Sequence, residues 1–415
     1  MKVALHTYGC KVNSYETEVI RQQILNSNIE IFDENADVHI INTCTVTKKI
    51  DTEIYRKIKQ LKKNGKKVIL TGCLVERKDK EALSILSLAD DVVSNKSKFQ
   101  INNYFNFTDN INYSLLSDFS TRDRAFIKIE DGCDNFCSYC EVPYVRGTNI
   151  KSRDIDIVKK EFLNLVNAGF NEIVLTGVNL GFYGKDKNDK NMLFRLLVEL
   201  IAEKPNTRIR LSSIGPKELS DDIIRLIKDS NGLICPHFHL SLQSGDEKIL
   251  KLMNRNYTPE EYKEKVNTII SEIPYAAITT DIIAGFPNET EKEFKNTFDF
   301  IKELPFSRLH VFPFSKRPDT VASKMKEQVN ETEKKLRVNT MIKLGKLKEK
   351  NFAQKNLGLI RKVLVETDKK NNYYTGYTDN YIRVKFRADN SLIGKLADIK
   401  LIEYKDDFVY GEILK

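Results

Sequence analysis

The 415-residue sequence has no tryptophan, only five histidines and no long apolar run. Crossing a bilayer takes about 20 consecutive apolar residues, so we expect no membrane span. We also expect no signal peptide before the first strand. The seven cysteines are an odd number, which argues against a disulfide framework and for the reducing cytosol. We therefore expect a cytoplasmic protein with no membrane partner. The missing tryptophan, in a chain rich in Lys, Ile and Asn, is typical of genome bias rather than of a function.

The chain is long enough for about three domains of roughly 150 residues each. Its content of 41% hydrophobic and 30% charged residues excludes a protein that is disordered on average. The net charge of +9, from 67 Lys and Arg against 58 Asp and Glu, favours a polyanionic partner. It does not require one, because many basic proteins bind no nucleic acid.

The first segment, residues 1–118, alternates buried strands with amphipathic helices. The predicted strands are Lys2–Thr7, Val38–Asn42 and Lys67–Thr71, and the predicted helices are Thr17–Leu25 and Asp51–Lys63. This alternation predicts an α/β fold with a parallel sheet. A cysteine follows each strand, at Cys10, Cys44 and Cys73, and the carboxyl ends of parallel strands share one edge where ligands bind. Three unrelated buried cysteines would not explain this common position in the repeat.

The second segment, residues 119–354, repeats the alternation six times and predicts a partial, TIM-like (β/α)6 barrel with function in the loops after the strands. The predicted strands are Ala125–Glu130, Ile173–Leu175, Arg208–Leu211, His237–Leu240, Ile278–Ile283 and Arg308–Phe312, with helices such as Ile155–Ala168, Met192–Glu203 and Pro259–Ile270 between them. The stretch from Ser323 to Asn356 has ten Lys and Arg against four Glu, a net charge of +6 (10 − 4). It fits either a solvated helix face or an RNA-facing surface.

The third segment, residues 355–415, is rich in short strands and predicts a small closed β-barrel of OB type, a fold that often binds nucleic acid. The predicted strands are Arg361–Glu366, Tyr373–Tyr377, Tyr381–Phe386, Ala397–Ile402 and Phe408–Leu414. Tyr373, Tyr374 and Tyr381 are candidates to stack on bases, although ordinary strand aromatics are the more common case.

The loop after the first barrel strand carries the chemistry. It contains Cys133, Cys137 and Cys140 in the C-x3-C-x2-C run DGCDNFCSYCEVPYVRG. Zinc sites usually take four Cys or His ligands, and no fourth ligand lies nearby, whereas thiolates are the preferred ligands of iron–sulfur clusters. The spacing is identified as that of the radical S-adenosylmethionine superfamily, in which an aromatic residue before the last cysteine, here Tyr139, is also usual.

The whole chain resembles the methylthiotransferase family within that superfamily. The motifs that carry the resemblance are TYGCKVNSYETE, INTCTVT and LTGC in the first segment, the cysteine run in the second, and HFHLSLQSGDEKILKLMNRNYT, TTDIIAGFPNETEKEF and HVFPFSKRPDT later in the barrel. The C-terminal barrel is similar to the family's TRAM domain, an RNA-binding module. The resemblance implies an N-terminal cluster-binding domain over 1–118, a radical core over 119–354 and a TRAM domain over 355–415.

The resemblance also implies two 4Fe-4S clusters, each with one open iron. Cys10, Cys44 and Cys73 would hold an auxiliary cluster that carries a sulfur atom, which one S-adenosylmethionine methylates. Cys133, Cys137 and Cys140 would hold the radical cluster, which cleaves a second S-adenosylmethionine so that hydrogen is removed from C2 of an adenine. Amino-acid side chains cannot break such a bond, so a cofactor must do so. Both clusters are expected to face one cavity, between the sheet edge and the barrel mouth.

The motifs KVNSYETE, HLSLQSG and HVFPFSKRP are most similar to the branch that acts on N6-threonylcarbamoyladenosine at position 37 of tRNA. The isopentenyladenosine branch usually has Gln-Met-Asn at residues 11–13, and the branch that modifies a ribosomal aspartate differs near the fourth strand. The chain departs from the family pattern at Glu141, Asn288 and Asp319, and LVER follows Cys73 in place of a YAQ-like sequence. None of these departures touches a cluster ligand.

Weaker candidates lie after the barrel strands. Those implied to bind S-adenosylmethionine are Gly177, Asn179, Ser213, Ser241, Gln243 and Gly285. Each fits a turn glycine or a satisfied polar group equally well. Arg146 fits either a contact to substrate or cofactor or a salt bridge. His237, His239 and His310 alternate within strands and are most simply packing residues, and Cys235 has no nearby partner and is predicted not to be a ligand.

The expected partners are a tRNA anticodon stem-loop, an electron donor such as a flavodoxin or ferredoxin system, and a sulfur donor. Two other enzymatic substrates stay open, namely isopentenyladenosine in tRNA and a ribosomal protein aspartate. A non-catalytic iron–sulfur RNA-binding redox sensor is the alternative from another class. The intact C-x3-C-x2-C loop argues against a sensor, which has no need of a loop built for S-adenosylmethionine.

Overall fold

The computed structural model describes residues 2–27, 29–32, 35–100, 115–119, 123–370 and 373–414. The chain divides into two compact units. The first comprises Met1–Ser120, Asp131–Lys151 and Ser315–Ser323, and the second comprises Thr121–Glu130, Ser152–Phe314 and Lys324–Lys415. The loop with the C-x3-C-x2-C run therefore belongs to the same compact unit as the first three cysteines. No helix among the described residues is long and apolar enough to cross a membrane.

The first unit is built on a five-stranded parallel sheet with the strand order β2-β1-β3-β4-β5. Its strands are β1 (Lys2–Thr7), β2 (Glu30–Ile31), β3 (Val38–Thr43), β4 (Lys67–Gly72) and β5 (Asp91–Val92). Its helices are α1 (Lys11–Asn26), α2 (Lys48–Lys63), α3 (Lys80–Leu86) and α4 (Val142–Arg146), with a short 3-10 helix at Leu74–Glu76. The three predicted strands are confirmed to within one residue.

The two faces of this sheet bury separate apolar clusters. Ile40 packs with Ile20 and Ile24 of α1, whereas the next residue, Ile41, packs with Ile54 and Ile58 of α2. Side chains alternate across a strand, so an unbroken apolar run in β3 requires a helix on each face. Helix α1 begins at Lys11, six residues before the predicted Thr17, because the polar residues of its first turns are buried rather than solvated. Helix α2 likewise starts three residues before the predicted Asp51.

The second unit contains the predicted partial barrel. Its strands are β6 (Ala125–Lys128), β9 (Glu172–Thr176), β10 (Arg208–Leu211) with its extension β11 (Ser213–Ile214), β12 (His237–Leu240), β13 (Ala277–Ala284) and β14 (Arg308–Pro313). They pair in parallel in the orders β10-β9-β6 and β11-β12-β13-β14. Two short strands, β7 (Glu130–Asp131) and β8 (Lys151–Ser152), form a ribbon. The (β/α)6 fold prediction is confirmed.

The helices of this unit follow the strands in the predicted alternation. They are α5 (Ile155–Asn167), α6 (Met192–Ala202), α7 (Asp221–Asp229), α8 (Glu247–Leu252), α9 (Pro259–Glu272), α10 (Glu291–Glu303) and α11 (Glu331–Lys355). Helix α11 lies within the predicted basic stretch. Two of its cations are buried, and Arg337 donates to Glu289 Oε1 at 2.8 Å, so part of the basic charge is used inside the unit.

Five strands at the C-terminus close into a barrel with the order β15-β16-β17-β19-β18. They are β15 (Ile360–Lys370), β16 (Tyr373–Thr378), β17 (Arg383–Arg387), β18 (Leu396–Lys405) and β19 (Phe408–Ile413). All neighbours are antiparallel except β17 and β19. This confirms the predicted small closed barrel.

Two of the three tyrosines named as base-stacking candidates are already packed within the protein. Tyr374 is fully buried in the core of the C-terminal barrel. Tyr381 stacks on His237 with 4.2 Å between ring centroids and on Tyr377 with 4.6 Å. Of the two interpretations left open, the structure shows the ordinary packing role for Tyr374 and Tyr381, and base stacking remains a prediction for Tyr373.

Candidate metal centre

The first three cysteines stand at the carboxyl edge of the parallel sheet of the first unit. Cys10 caps the start of α1, Cys44 directly follows β3, and Cys73 directly follows β4. Cys44 and Cys73 are 2% and 6% exposed, whereas Cys10 is exposed. All three thiols are free. We call them the auxiliary triad.

The three thiols of the auxiliary triad are close enough to influence one another. Burial raises the pKa of Cys44 to about 12, and negative charge on Cys10 and Cys73 adds to the shift. Gly9 has a φ of +103°, and a Cβ placed there would lie 2.4 Å from Cys44 Sγ. Only glycine allows both this backbone conformation and this close approach. The sheet edge thus brings the triad together, as predicted.

Cys133, Cys137 and Cys140, which we call the radical triad, lie on an irregular loop of the same unit. The Cys133 N–H donates to Gly147 O at 3.1 Å, and the Cys140 N–H donates to Cys137 O at 2.9 Å. Burial raises the pKa of Cys140 to about 12, with added contributions from Cys137 and Cys133, although the Val142 N–H donates to its Sγ at 3.4 Å. None of these three cysteines forms a disulfide with another described residue.

The donor chemistry of the radical triad fits an iron–sulfur cluster. In the described ranges, no three His, Cys, Asp or Glu side chains surround one point as ligands of a single ion would. A 4Fe-4S cube instead binds each thiolate through a different iron atom and needs no such convergence. Binding replaces the proton of each thiol, and so removes the unfavourable burial of three neighbouring thiolate charges.

A buried arginine connects the radical-triad loop to the helix that starts at Cys10. Arg146, in the last turn of α4, donates to Asn13 Oδ1 at 2.6 Å and pairs with Glu16 Oε2 and with Asp131 Oδ1, both at 3.1 Å. Its side chain is 3% exposed. Burial opposes its charge, but negative charge on Cys73, Glu16 and Asp131 raises its pKa well above the usual value. Of the two interpretations left open for Arg146, the structure shows the salt bridge.

A second buried network of ion pairs includes residues that come shortly after Cys44, Cys73 and Cys140 in the sequence. Arg77 Nη1 and Arg317 Nη1 both contact Asp51 Oδ2, at 2.7 and 2.6 Å. Thr45 Oγ1 donates to Glu141 Oε2 at 2.7 Å, and the Glu141 carboxylate lies 3.8 Å from each guanidinium. Asp79 Oδ2 also pairs with Arg77 Nε at 2.8 Å, so the network contains two arginines and three carboxylates. Glu141, noted above as a departure from the family pattern, is thus a buried ion-pair partner.

In the second unit, the loop after β9 holds Gly177 and Asn179. A Cβ at Gly177 would lie 2.6 Å from Glu130 Oε2, and the Asn179 N–H donates to the same oxygen at 2.9 Å. The Asn179 side chain accepts from the Gly181 N–H at 3.2 Å and so caps the short 3-10 helix that follows. Glu130, which sequence reasoning missed, fixes this loop.

The remaining barrel-end candidates also lie at the carboxyl ends of strands. Ser213 opens β11, and Ser241 directly follows β12. Gln243 has a φ of +72° and is tied to β13 through its N–H, which donates to Asp281 O at 2.8 Å. Gly285 has a φ of +74°, and a Cβ there would lie 2.6 Å from Lys334 Cγ. The close approach at Gly285 is therefore made by Lys334 of α11.

The barrel histidines and Cys235 are part of the packed interior. His237 Nε2 and His239 Nδ1 each lie 3.0 Å from Thr279 Oγ1, and the His239 and His310 rings meet edge to face. Cys235 is fully buried, and burial raises the pKa of its thiol to about 11. The packing role predicted for the three histidines agrees with these contacts.

Two family models match this chain. The Radical SAM superfamily model matches residues 127–301, and the model described as uncharacterized protein family UPF0004 matches residues 2–94. The first covers the radical triad and most of the partial barrel, and the second covers the auxiliary triad and its sheet.

Curated proteins match over the full length. The threonylcarbamoyladenosine tRNA methylthiotransferase MtaB of Bacillus subtilis is 38% identical, with 99% of this chain and 95% of that protein covered. The protein of the same name from Thermotoga maritima is 35% identical over 99% of this chain and 98% of its own length. The tRNA-2-methylthio-N(6)-dimethylallyladenosine synthase of Fervidobacterium nodosum is 36% identical over 100% of this chain and 99% of its own length.

A solved structure shares the fold at low sequence identity. The radical S-adenosylmethionine methyltransferase TsrM of Kitasatospora setae has a TM-score of 0.58 at 14% identity, covering 78% of this chain and 77% of that chain. At this identity the match shows the fold alone.

Proposed function

Because this chain belongs to the radical S-adenosylmethionine methylthiotransferase family, we propose that it adds a methylthio group to C2 of N6-threonylcarbamoyladenosine at position 37 of tRNA. The observation that carries this proposal is the presence of two cysteine triads in one compact unit. The choice of substrate is supported by the motifs KVNSYETE, HLSLQSG and HVFPFSKRP. Sequence identity does not separate the two substrates, because the two threonylcarbamoyladenosine enzymes are 38% and 35% identical and the dimethylallyladenosine enzyme is 36% identical.

We assign a 4Fe-4S cluster to each triad. The donor chemistry of the auxiliary triad fits a second cluster, since three free, mutually interacting thiols stand at one sheet edge with Cys44 and Cys73 buried. When bound, the clusters and two molecules of S-adenosylmethionine supply the electron, the transferable sulfur, the methyl group and the hydrogen-abstracting radical. The protein supplies three thiolates to each cluster, shields them from water and oxygen, and fixes their positions.

The contacts around the triads support these separate roles for the clusters and the protein. Burial of Cys44, Cys73 and Cys140 makes their free thiolates unfavourable and so favours the thiol form unless a metal binds. Arg146 and Asp131 hold the radical-triad loop beside α1 without supplying a ligand. For S-adenosylmethionine we assign the barrel-end residues Gly177, Asn179, Ser213, Ser241, Gln243 and Gly285, with Glu130 as the residue that fixes the loop after β9.

The tRNA anticodon stem-loop is the assigned partner, and the C-terminal barrel offers a surface for it. Three cations on β17 lie among aromatic rings, and we call this set the β17 patch: Arg383, Lys385, Arg387, Tyr373, Phe408 and Tyr410. Lys385 Nζ is 5.4 to 5.5 Å from the centroids of all three rings. Cations bind phosphates and aromatic rings stack on bases, so this combination suits an RNA strand.

Turnover requires partners outside this chain. We propose an electron donor such as a flavodoxin or ferredoxin system, a sulfur donor that restores the transferred atom, and a cytoplasmic location where tRNA is available. An odd cysteine number with six thiols assigned to metal fits that reducing compartment.

The substrate is tested by mass spectrometry of tRNA nucleosides from a strain that lacks the gene. We expect the methylthiolated threonylcarbamoyl nucleoside to disappear and to return when the wild-type gene is restored. Its persistence, in a strain without a second enzyme that makes it, would contradict the substrate assignment. Loss of the methylthiolated isopentenyl nucleoside, or of a methylthiolated ribosomal aspartate, would identify one of the other two substrates.

A redox sensor is distinguished from an enzyme by reductive cleavage of S-adenosylmethionine. The anaerobically reconstituted protein is expected to release 5′-deoxyadenosine in the presence of a reductant. A complete absence of this product, with both clusters intact, would favour the sensor.

A further inference from the structure

Helix α4 starts two residues after Cys140 and is held at both ends by buried charges. Pro143 suits its first turn, where a backbone N–H is not needed, and Gly147 ends it with a φ of +91°. Glu141 precedes the helix and Arg146 is its last residue. Both side chains are buried, with 4% and 3% exposure.

The N-terminal end of α4 is fixed to the segments that follow two auxiliary-triad cysteines. Glu141 accepts from Thr45, the residue after Cys44, at 2.7 Å. It also lies 3.8 Å from Arg77 Nε, four residues after Cys73. Arg77 in turn donates to Thr45 Oγ1 at 3.1 Å, which closes a ring of contacts between these three residues.

The C-terminal end of α4 is fixed to the helix that begins at Cys10. Arg146 bonds Asn13 at 2.6 Å and both oxygens of Glu16 at 3.1 Å. Asn13 donates in turn to Tyr8 O at 2.8 Å and to Thr43 O at 2.9 Å, next to Cys10 and Cys44. Short polar connections therefore run from α4 to Asn13, Thr45 and Arg77, which lie three residues after Cys10, one after Cys44 and four after Cys73.

Buried ion pairs such as those of Glu141 and Arg146 add little to the stability of a fold. Desolvation of a buried ion pair offsets most of its attraction, and replacement by well-packed apolar residues is often neutral or stabilising. What the charges supply is directionality, since a guanidinium fork and a carboxylate meet only in a few geometries. A charged clamp at each end of α4 fixes the helix against both sliding and rotation.

We propose that Glu141 and Arg146 are positioning residues that fix the separation of the auxiliary and radical triads. This inference rests on the proposed function, in which hydrogen removal and sulfur delivery must reach the same adenine carbon. A misplacement of about 1 Å between reacting groups lowers a rate by about 100-fold. Neither residue is a ligand; Glu141 acts through the loops that carry the thiols, and Arg146 also lies close enough to the Cys73 thiol for their charges to interact.

The test compares the reconstituted holoenzyme with Glu141→Gln, which keeps the shape of the side chain and its acceptor for Thr45, and with Arg146→Gln and Arg146→Lys. Arg225→Gln is the matched control, because Arg225 is 63% exposed on α7 and pairs with the equally exposed Asp222. Three quantities are measured: iron and sulfide content, the magnetic interaction between the reduced clusters by electron paramagnetic resonance, and methylthio product formed per 5′-deoxyadenosine released.

We expect Glu141→Gln and Arg146→Gln to retain iron and sulfide but to change the magnetic interaction. We also expect them to form at least about tenfold less product per 5′-deoxyadenosine. Arg146→Lys should recover part of this ratio, because lysine keeps the charge but not the fork. A purely structural role would lower cleavage and product together and leave the ratio unchanged.

The inference is overturned if both glutamine variants keep the wild-type ratio and the wild-type magnetic interaction. If Arg146→Gln does not fold, Glu141→Gln and Arg146→Lys decide the question by the same two readouts. Failure of the proposed function looks different, since the wild-type protein would then contain one cluster or release no 5′-deoxyadenosine.

Discussion

Arg210 Nη2 donates to Glu172 Oε2 at 2.8 Å and to the backbone oxygen of Thr378 at 3.0 Å, so one guanidinium joins the partial barrel to the C-terminal barrel. Glu172 also pairs with Arg208 at 2.6 Å and with Arg124 at 2.9 Å. The carboxylate is fully buried and is the common acceptor of three arginines. This contact fixes the proposed RNA-binding module against the catalytic barrel within the second unit.

Removing the charge of Glu172 should destabilise the protein strongly. In Glu172→Gln three buried arginines lose their common counter-charge, and breaking a buried pair in this way costs about 3 to 5 kcal/mol. The free energy of unfolding is measured by urea titration of the full-length protein. Glu272→Gln makes the same chemical change in an exposed pair with Lys228 and should leave the midpoint unchanged. Equal midpoints for the two variants would contradict the role given to Glu172.

The same carboxylate predicts a pH dependence of stability. Burial alone would raise the pKa of Glu172, but Arg210, Arg208 and Arg124 outweigh it and hold the pKa well below the ordinary value of 4.5. A lowered folded-state pKa gives stability that is fully present above the unfolded-state pKa and is lost as the pH falls toward the folded-state pKa. The stability difference between wild type and Glu172→Gln should therefore be constant above pH 4.5 and shrink below it. A difference that grew on acidification would contradict this sign.

Gly9 is predicted to be essential for the auxiliary triad. In Gly9→Ala the new methyl group would lie 2.3 Å from Cys44 Cβ and 2.4 Å from its Sγ, so the thiol must move. We expect iron to fall from about eight to about four atoms per chain, while reductive cleavage of S-adenosylmethionine persists. Gly65→Ala is the control, since Gly65 also has a positive φ, of +69°, but no atom lies within 4 Å of the new methyl group. Full iron content in Gly9→Ala would contradict the assigned ligand set.

The β17 patch predicts a salt-dependent contribution to tRNA binding. Replacing Lys385 or Arg387 by glutamine should weaken binding and reduce the slope of log affinity against log salt by about one for each phosphate that the side chain neutralises in the wild type. Lys251→Gln, on α8, is the control because its side chain is 72% exposed and lies outside the patch. Unchanged slopes for Lys385→Gln and Arg387→Gln would remove the patch from the RNA-binding surface.

The sequence predicts the positions of the strands, and of the residues that follow them, from the periodic pattern of apolar runs. Three strands of the first sheet, β1, β3 and β4, are short apolar runs with a cysteine within three residues of their ends, and a parallel sheet has only one edge where its carboxyl ends meet. The positions of Cys10, Cys44 and Cys73 follow from that rule. The six strands of the partial barrel are predicted by the alternation of strands and helices, and the five of the C-terminal barrel by short β-rich runs.

Contacts between distant polar residues could not be predicted. The second buried network joins residues that are more than 260 positions apart in the sequence, namely Asp51, Arg77, Glu141 and Arg317. Each is a charged residue of a type that usually lies on the surface. The predicted start of α1 is wrong for the same reason, because Asn13 and Glu16 are buried by partners that arrive from residues 131–151. A motif such as KVNSYETE marks such residues as special without indicating what they contact.

The sequence also does not predict which aromatic residues of a barrel strand face outward. Neighbouring residues of a strand point to opposite faces, and a difference of one position moves a ring from the surface to the core. Tyr373 lies near Lys385 and Arg387 on the outside, whereas Tyr374 is fully buried. The sequence shows two adjacent tyrosines and does not indicate which one faces outward.

The assignment of two clusters with separate tasks is tested most directly by replacing one cysteine from each triad. Iron and sulfide content, 5′-deoxyadenosine release and methylthiolated nucleoside are measured together for Cys44→Ala, Cys137→Ala and the buried non-ligand control Cys235→Ala. We expect Cys235→Ala to match the wild type, Cys137→Ala to lose both reactions, and Cys44→Ala to keep about four iron atoms and cleavage while forming no methylthio product. Full methylthiolation by Cys44→Ala, or a wild-type protein with a single cluster, would contradict the account.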